Sequence, residues 1–268
     1  MIKHPITTLG ALTLAIGSLA FTQPATAAAH LNAQQKTTVN PGGLFKASPA
    51  AHGAHAATAK GNRVLVYSGN WSGYAVTGST FTTATATWVQ PAASCTSNDG
   101  ETDMSPWVGL DGYSSSTVEQ TGTSADCDGS SVDYYAWYEM YPANYVTIND
   151  TVKAGDSFTG TVTHTSGTSY TLKLTDNTRG WSYSTTKKLS ADDSSAEAVL
   201  EMAADNLTKF STDPFTSFTV DGEAVGSYTS SPYTIDQMEI DTSSGAICDS
   251  TSALTSEENF TVSWLNAC

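Results

Sequence analysis

From Val64 onward the chain is divided into short runs in which apolar and small polar residues alternate. Between Phe81 and Val89 the pattern is strict. Phe81, Thr83, Thr85, Thr87 and Val89 fall on one side, and Ala84, Ala86 and Trp88 on the other. A period of two marks a half-buried strand. Further runs of this kind lie at 64–67, 71–76, 106–110, 117–121, 134–141, 145–149, 157–165, 169–176, 181–186, 215–220, 224–228, 233–241 and 259–264. Gly, Asn, Asp and Ser separate them at a spacing of roughly 8–12 residues, which predicts an all-β sandwich or barrel. One segment disagrees. Residues 195–204 are good helix formers, and propensity alone makes them a helix. As a strand, they would place Glu197, Val199 and Glu201 on one face and Leu200 and Met202 on the other.

No repeat unit stands out, so one folded domain is expected over 64–268. Ahead of it, Lys3 and His4 precede a weakly apolar run, 6–21, and then Ala25-Thr26-Ala27. This reads as a secretory signal over residues 1–28. The run is too short and too interrupted for a stable membrane span. Residues 29–63 are rich in Ala, Gly, Thr and His and could form little core. They are expected to be a propeptide or a flexible basic segment. The charge changes at this boundary. No Asp or Glu precedes Asp99, whereas from Val64 onward six Lys or Arg face 26 Asp or Glu. Binding to nucleic acid by counterion release is excluded by such a balance. It fits an enzyme working at low pH, or simply a soluble secreted surface.

The four cysteines, Cys95, Cys127, Cys248 and Cys268, suit an oxidising compartment. Of the three possible pairings, the local one is expected: Cys95 with Cys127 and Cys248 with Cys268. Extracellular localisation follows, and a monomer is expected.

The chemistry is narrowed by elimination. After residue 63 the only histidine is His164, in a Thr-rich strand with no orienting Asp or nucleophile motif beside it in sequence. A Ser-His-Asp triad or a Cys-His pair is therefore poorly supported. There is no H-E-x-x-H for zinc and no phosphate-binding glycine pattern. Asp241-Thr242-Ser243-Ser244-Gly245 approaches an aspartic-peptidase loop but has no partner loop. No metal or cofactor is expected. Carboxylate and amide chemistry remain, or binding without chemistry. The densest grouping of rings and polar groups lies between Ser105 and Pro142, and it is what a site for an extended polymer requires. Taken alone, Glu139 would be chosen as acid or base, because the surrounding rings desolvate it and raise its pKa. Sugar and peptide substrates remain open at this point.

Several motifs occur in a fixed order: Asn70-Trp71-Ser72-Gly73, Ser105-Pro106-Trp107-Val108-Gly109-Leu110-Asp111-Gly112, Glu119-Gln120-Thr121-Gly122, Ala136-Trp137-Tyr138-Glu139-Met140-Tyr141-Pro142, and Ala196-Glu197 with Glu201 four residues on. Together they resemble the glutamic peptidases, or eqolisins, over most of 64–268. The resemblance implies two antiparallel sheets packed as a sandwich of the concanavalin A-like lectin and glucanase type. It implies a secreted, metal-independent endopeptidase active in acid on protein or peptide substrates, made with a basic propeptide. It assigns Gln120 and Glu201 as the catalytic dyad, with Glu197 a neighbouring candidate. It assigns Trp71, Trp107, Asp111, Trp137 and Glu139 to substrate binding. Ala198, Met140 and Pro106 depart from the residues usual in the family and are expected to alter the shape of the pocket. The alternative, on the same kind of sandwich, is a carbohydrate-binding or glycan-hydrolysing protein. Sequons stand at Asn70, Asn149, Asn206 and Asn259. A sugar at Asn70 would obstruct the site.

Overall fold

The computed structural model describes residues 62–98, 100–203 and 206–268. The expected signal peptide, and all but the last two residues of the expected propeptide, lie outside the described residues. The strands run in order as β1 (Arg63–Ser68), β2 (Trp71–Thr77), β3 (Thr83–Val89), β4 (Glu101–Asp111), β5 (Val118–Asp128), β6 (Ser131–Tyr141), β7 (Val146–Ile148) and β8 (Ser157–Ser166). They continue as β9 (Ser169–Asp176), β10 (Ser182–Lys188), β11 (Ser195–Glu201), β12 (Thr212–Val220), β13 (Glu223–Ala224), β14 (Thr234–Ile240), β15 (Asp249–Thr251) and β16 (Phe260–Trp264). A short 3-10 turn, Val225–Ser227, follows β13.

Two sheets form. The first has the order β1-β14-β2-β11-β4-β5-β6-β7, and the second β10-β9-β8-β3-β12-β16-β15, with β13 beside β12. Only β1 and β14 pair in parallel among the described strands. The two sheets pack face to face as a β-sandwich, one of the two arrangements the alternation in the sequence allows.

β3 shows how the pattern works. Ala84, Ala86 and Trp88 are buried, and the threonines between them are half-buried. Thr85 Oγ1 donates to Thr161 Oγ1 at 3.1 Å, and Thr87 and Thr159 are bonded at 2.8 Å on β8. Cross-strand pairs of this kind stabilise a sheet through the face that does not pack inward. On the inner face Trp88 stacks against Phe158, and Phe215 against Phe260 at 4.8 Å. The Trp88 indole N–H crosses to the other sheet and donates to Thr123 Oγ1 at 2.8 Å.

The segment of helix formers is β11, a strand at the centre of the first sheet between β2 and β4. Ala196, Ala198 and Leu200 join the sandwich core, while Glu197, Val199 and Glu201 take the other face. All seven residues are buried. Pairing on both edges and packing on both faces override a local preference of a few tenths of a kcal/mol per residue. For the same reason β4 and β5, at eleven residues each, are longer than their sequence runs. Buried on both faces, they carry no alternation to read.

Both expected disulfides are present: Cys95–Cys127 and Cys248–Cys268, with Cα atoms 5.5 and 5.7 Å apart.

Several carboxyls are buried in this framework. Burial, with the Asp111 charge second, pushes Glu119 up to about 9. Burial likewise brings Asp249 up to about 7, opposed by the bond from Ser72, and holds Asp213 well above its ordinary range. Such groups favour the folded state fully below the carboxyl pKa of the unfolded chain, about 4. That advantage is lost as pH rises toward the folded values, because only the unfolded chain releases these protons. The melting temperature is therefore expected to fall between pH 4.5 and pH 8 by roughly 5 °C or more, at about 2–4 °C per kcal/mol for a domain of this size. Calorimetry across that interval checks it, and a melting temperature that rises with pH would contradict it.

Candidate active site

Laterally paired residues share a face of the sheet, and successive residues alternate between faces. The register of the first sheet therefore arranges its face away from the second sheet in rows. One row joins Trp71 on β2, Glu201 on β11 and Ser105 on β4. The next joins Val199, Trp107, Gly122 and Trp137, from β11 to β6. A third joins Glu197, Gly109, Gln120 and Glu139 across the same four strands. The sequence-predicted Gln120, Glu201, Trp71, Trp107, Trp137 and Glu139 thus come together on one face.

Trp107 is the centre of the arrangement. Its indole N–H donates to Glu201 Oε2 at 2.8 Å. The Trp71 ring meets it edge-on, with centroids 5.0 Å apart. Trp137 donates from Nε1 to Ser124 Oγ at 2.8 Å, and Ser124 in turn bonds Ser105 at 2.6 Å. Two glycines make room for the indole. A Cβ at Gly109 would stand 2.9 Å from Trp107 Cζ3. A Cβ at Gly122 would stand 2.6 Å from Trp107 Cβ and 3.0 Å from Trp137 Cζ2. Backbone carbonyls are closer still, Glu119 O at 2.8 Å from the Gly109 position and Pro106 O at 2.5 Å from the Gly122 position, so strand approach and ring packing together demand the glycines of the W-V-G and Q-T-G motifs.

Gln120 donates from Nε2 to Glu139 Oε2 at 2.6 Å, while its Oε1 is buried without an intramolecular partner. Glu139 is pushed up to about 8, first by burial and then by the negative charge of Glu201, against the pull of the Gln120 bond. Glu139 thus senses both members of the expected dyad. Glu201 accepts a second bond, from Asn70 Nδ2 to Oε1 at 3.1 Å. Two N–H donors stabilise the ionised carboxylate. Glu197 is fully buried, and burial holds its carboxyl well above the usual range, partly offset by Ser195. The two glutamates of β11 accordingly differ: Glu201 accepts from two N–H donors, whereas burial holds Glu197 toward its neutral form.

Asp111 occupies a different setting. It ends β4 with a φ of 68°. Its carboxylate accepts from the backbone N–H of Asp193 and of Ser194 and from Ser194 Oγ, each at 2.8 Å. It fixes the entry into β11, with neutral Glu119 against it. The three departures from the family pattern also fall elsewhere than expected. Ala198, Pro106 and Met140 lie in register with Val108, Leu200 and Glu119 on the opposite face, toward the second sheet. They alter how the sandwich packs beneath the site. His164 proves to have a carboxylate partner, Asp193, at 2.6 Å, but its other ring nitrogen faces Gly167 O at 2.9 Å. A nucleophile has no place on that ring.

Sequence reasoning took Trp71 from the Asn-Trp pair and passed over Asn70. Its own signal was weak, because an Asn before a strand ordinarily reads as a turn residue. It does make a turn: Ser68 Oγ accepts from Asn70 N and Trp71 N at 3.3 and 3.1 Å. That turn also aims the Asn70 amide at Glu201.

One sheet face thus gathers an amide, three carboxyls and three indoles, groups suited to acid–base and oxyanion chemistry. The Peptidase A4 family model matches residues 69–264, and the chain belongs to that family. Scytalidopepsin B of Scytalidium lignicola is 40% identical over 113 residues, 41% of either chain. The chain thus matches about two fifths of the length of that curated relative. Among solved structures, scytalido-glutamic peptidase with a transition state analog inhibitor superposes with a TM-score of 0.62 at 27% identity, covering 74% of this chain and 98% of that one. SCP-B, described as a member of the eqolisin family in complex with the tripeptide Ala-Ile-His, gives a TM-score of 0.56 at 27% identity over the same shares.

The ring packing around Gly122 is directly testable. Gly122→Ala drives a methyl against both indoles, and overpacking of this kind costs about 1–3 kcal/mol. Urea unfolding is expected to show a loss of that size, and a midpoint equal to the parent's would mean the indoles have room to spare.

Proposed function

We propose that the protein is a glutamic-type endopeptidase in which Glu201 is the general base and acid and Gln120 stabilises the oxyanion. The observation that carries this reading is the shared face. Glu201 accepts from the Trp107 indole N–H, and Gln120 points its amide nitrogen along the same face at Glu139, whose carboxyl is pushed up to about 8. Membership of the Peptidase A4 family supports peptide hydrolysis over the carbohydrate alternative.

The steps follow from what each group can hold. Ionised Glu201 takes a proton from a water as its oxygen attacks the scissile carbonyl. The C=O π pair moves onto oxygen, and the Gln120 N–H₂ donates to the developing charge. Glu201 then returns the proton to the leaving nitrogen as the C–N bond breaks, which restores the carboxylate. Glu139 keeps its proton through the acid range and adds no second negative charge beside the oxyanion. Trp71, Trp107 and Trp137, all buried, form the apolar bed of the site, and Trp71 Nε1, without an intramolecular partner, is a candidate donor in it. Asp111 acts in this reading by fixing the entry to β11.

The finer features belong to the same proposal. The sandwich is of the concanavalin A-like lectin and glucanase type, in keeping with two large, mostly antiparallel sheets. The enzyme is secreted and works in acid, after removal of a basic segment ahead of Val64. The two disulfides and the charge step at residue 63 support this.

Gln120→Ala is expected to lower turnover of an acid-denatured protein substrate by about 10²–10³, and Glu201→Gln to abolish it, each with the parent's melting temperature. Full activity in either purified variant would sink the dyad. The alkaline limb of the rate profile is expected no higher than the Glu139 value of about 8. In Glu139→Gln, which cannot ionise, that limb should move upward. A variant profile that superimposes on the parent's would remove Glu139 from this role.

A further inference from the structure

We propose that Asn70 is a positioning residue for Glu201, whose side-chain amide keeps that carboxylate ionised and correctly turned in acid. This rests on the reading of Glu201 as the general base.

The geometry comes from three connected bonds. Asn70 Nδ2 donates to Glu201 Oε1 at 3.1 Å, while Trp107 Nε1 donates to Oε2 at 2.8 Å. Each carboxylate oxygen therefore has its own N–H, and the carboxylate plane is fixed from two sides. Asn70 is not free to turn away. Its carbonyl accepts from Met202 N at 2.8 Å, next to Glu201 in the chain, and its N–H donates to Ser68 Oγ. The residue is buried. Its backbone and side chain thus grip the end of β11 together, and the second donor to Glu201 is set by the same turn that starts β2.

The chemistry requires such a donor. Glu201 lies among acidic neighbours on every side. Glu139 faces it from β6, and its own carboxyl is raised by the charge of Glu201. On β4, the Asp103 carboxylate accepts from Ala203 N, two residues beyond Glu201. Glu197 stands two rows away on the same strand face, beyond Val199, and Asp241, whose N–H donates to Ser68 O, follows β14 beside the Asn70 turn. Burial and any ionised carboxylate nearby favour the protonated form of a glutamate, and a protonated glutamate cannot accept the proton of the attacking water. An indole and an amide donate to its two oxygens, and neither titrates, so both donors persist as pH falls toward the acid limb.

Asn70→Leu keeps the shape and removes the donor, and the backbone bonds that make the turn survive it. Asn70→Ala is the smaller companion. A charge-assisted hydrogen bond of ordinary strength corresponds to a shift of about one pH unit or more. Both variants are expected to move the acid limb of kcat upward by that amount. The activity deficit should be about tenfold below the limb, with KM little changed, and should shrink as pH rises. The parent's melting temperature should be retained. A second readout needs no turnover: in protein carrying ¹³C-labelled glutamate side chains, the Glu201 carboxyl resonance, assigned by its loss in Glu201→Gln, should titrate at higher pH in Asn70→Leu than in the parent. If both the acid limb and that titration coincide with the parent's, the assignment is wrong. If kcat falls equally at all pH values with an unmoved titration, Asn70 is a packing residue only, and the assignment is again wrong. The peptidase reading fails separately, through an active Glu201→Gln enzyme, and the carboxyl titration would still decide the role of Asn70.

Discussion

The pairing of β4 with its two neighbours is the constraint from which the site follows. Because side chains alternate along a strand, a slip of one residue would turn Trp107, Gln120 and Glu201 into the space between the sheets. Val108, Thr121 and Leu200 would come out in their place. The slip is opposed on both faces at once. Inward, Met104, Val108 and Leu110 belong to the continuous core with Trp88 and Phe158. Outward, Trp107 fits only where Gly109 and Gly122 leave its ring room. Catalytic alignment and core packing are thus the same specification. No part of the site depends on a loop for its placement except Asn70, and that residue is tied back to β11 by its carbonyl.

Charge is managed in an unusual way for so acidic a chain. The face carrying the site and the end of β4 hold Glu119, Glu139, Glu197 and Glu201 within a few rows, all buried. Among the described residues, ion pairs join Arg63 to Glu257, His164 to Asp193 and Arg179 to Asp156 and Asp176. Within the site, protons and neutral N–H donors are prominent. Burial pushes the carboxyls of Glu119, Glu139 and Glu197 upward, and Glu201 accepts from an indole and an amide. A low-dielectric setting amplifies each of these choices. Each neutral carboxyl is also a proton that the unfolded chain would surrender first, so these groups favour the folded state most at low pH.

Much of this was legible in the sequence, and the failures have physical causes. β3 and β8 could be read because each has one face inward and one outward, so hydrophobicity alternates. β4, β5 and β11 could not be read fully, because burial on both faces erases the alternation, and in β11 alanines chosen for close sheet packing imitate a helix. The six site residues that share the outer face were found through their motifs. Asp111 was found too, but its carboxylate is bonded to the backbone at 193 and 194, a contact 82 or more residues away that no local pattern encodes. Asp193 beside His164 and Asn70 beside Glu201 escaped notice for the same reason. Long-range hydrogen bonds leave no periodicity. The three departures in the motifs were read as changes to the pocket because their neighbours line it, whereas parity along the strand sends them to the other face.

The burial of Asn70 bears on how the protein can be made. Asn70-Trp71-Ser72 is a sequon, and its amide nitrogen is the atom to which an oligosaccharide would be attached. In the folded molecule that nitrogen is enclosed and bonded to Glu201. A host with a glycosylating secretory route could reach it only on the nascent chain, before β2 and β11 come together. Glycan addition and closure of the sheet would then compete for one atom, and chains that lost the race could not form the Glu201 clamp. Yield of competent enzyme would be governed by the order of two events during synthesis, and a host lacking that route would avoid the contest.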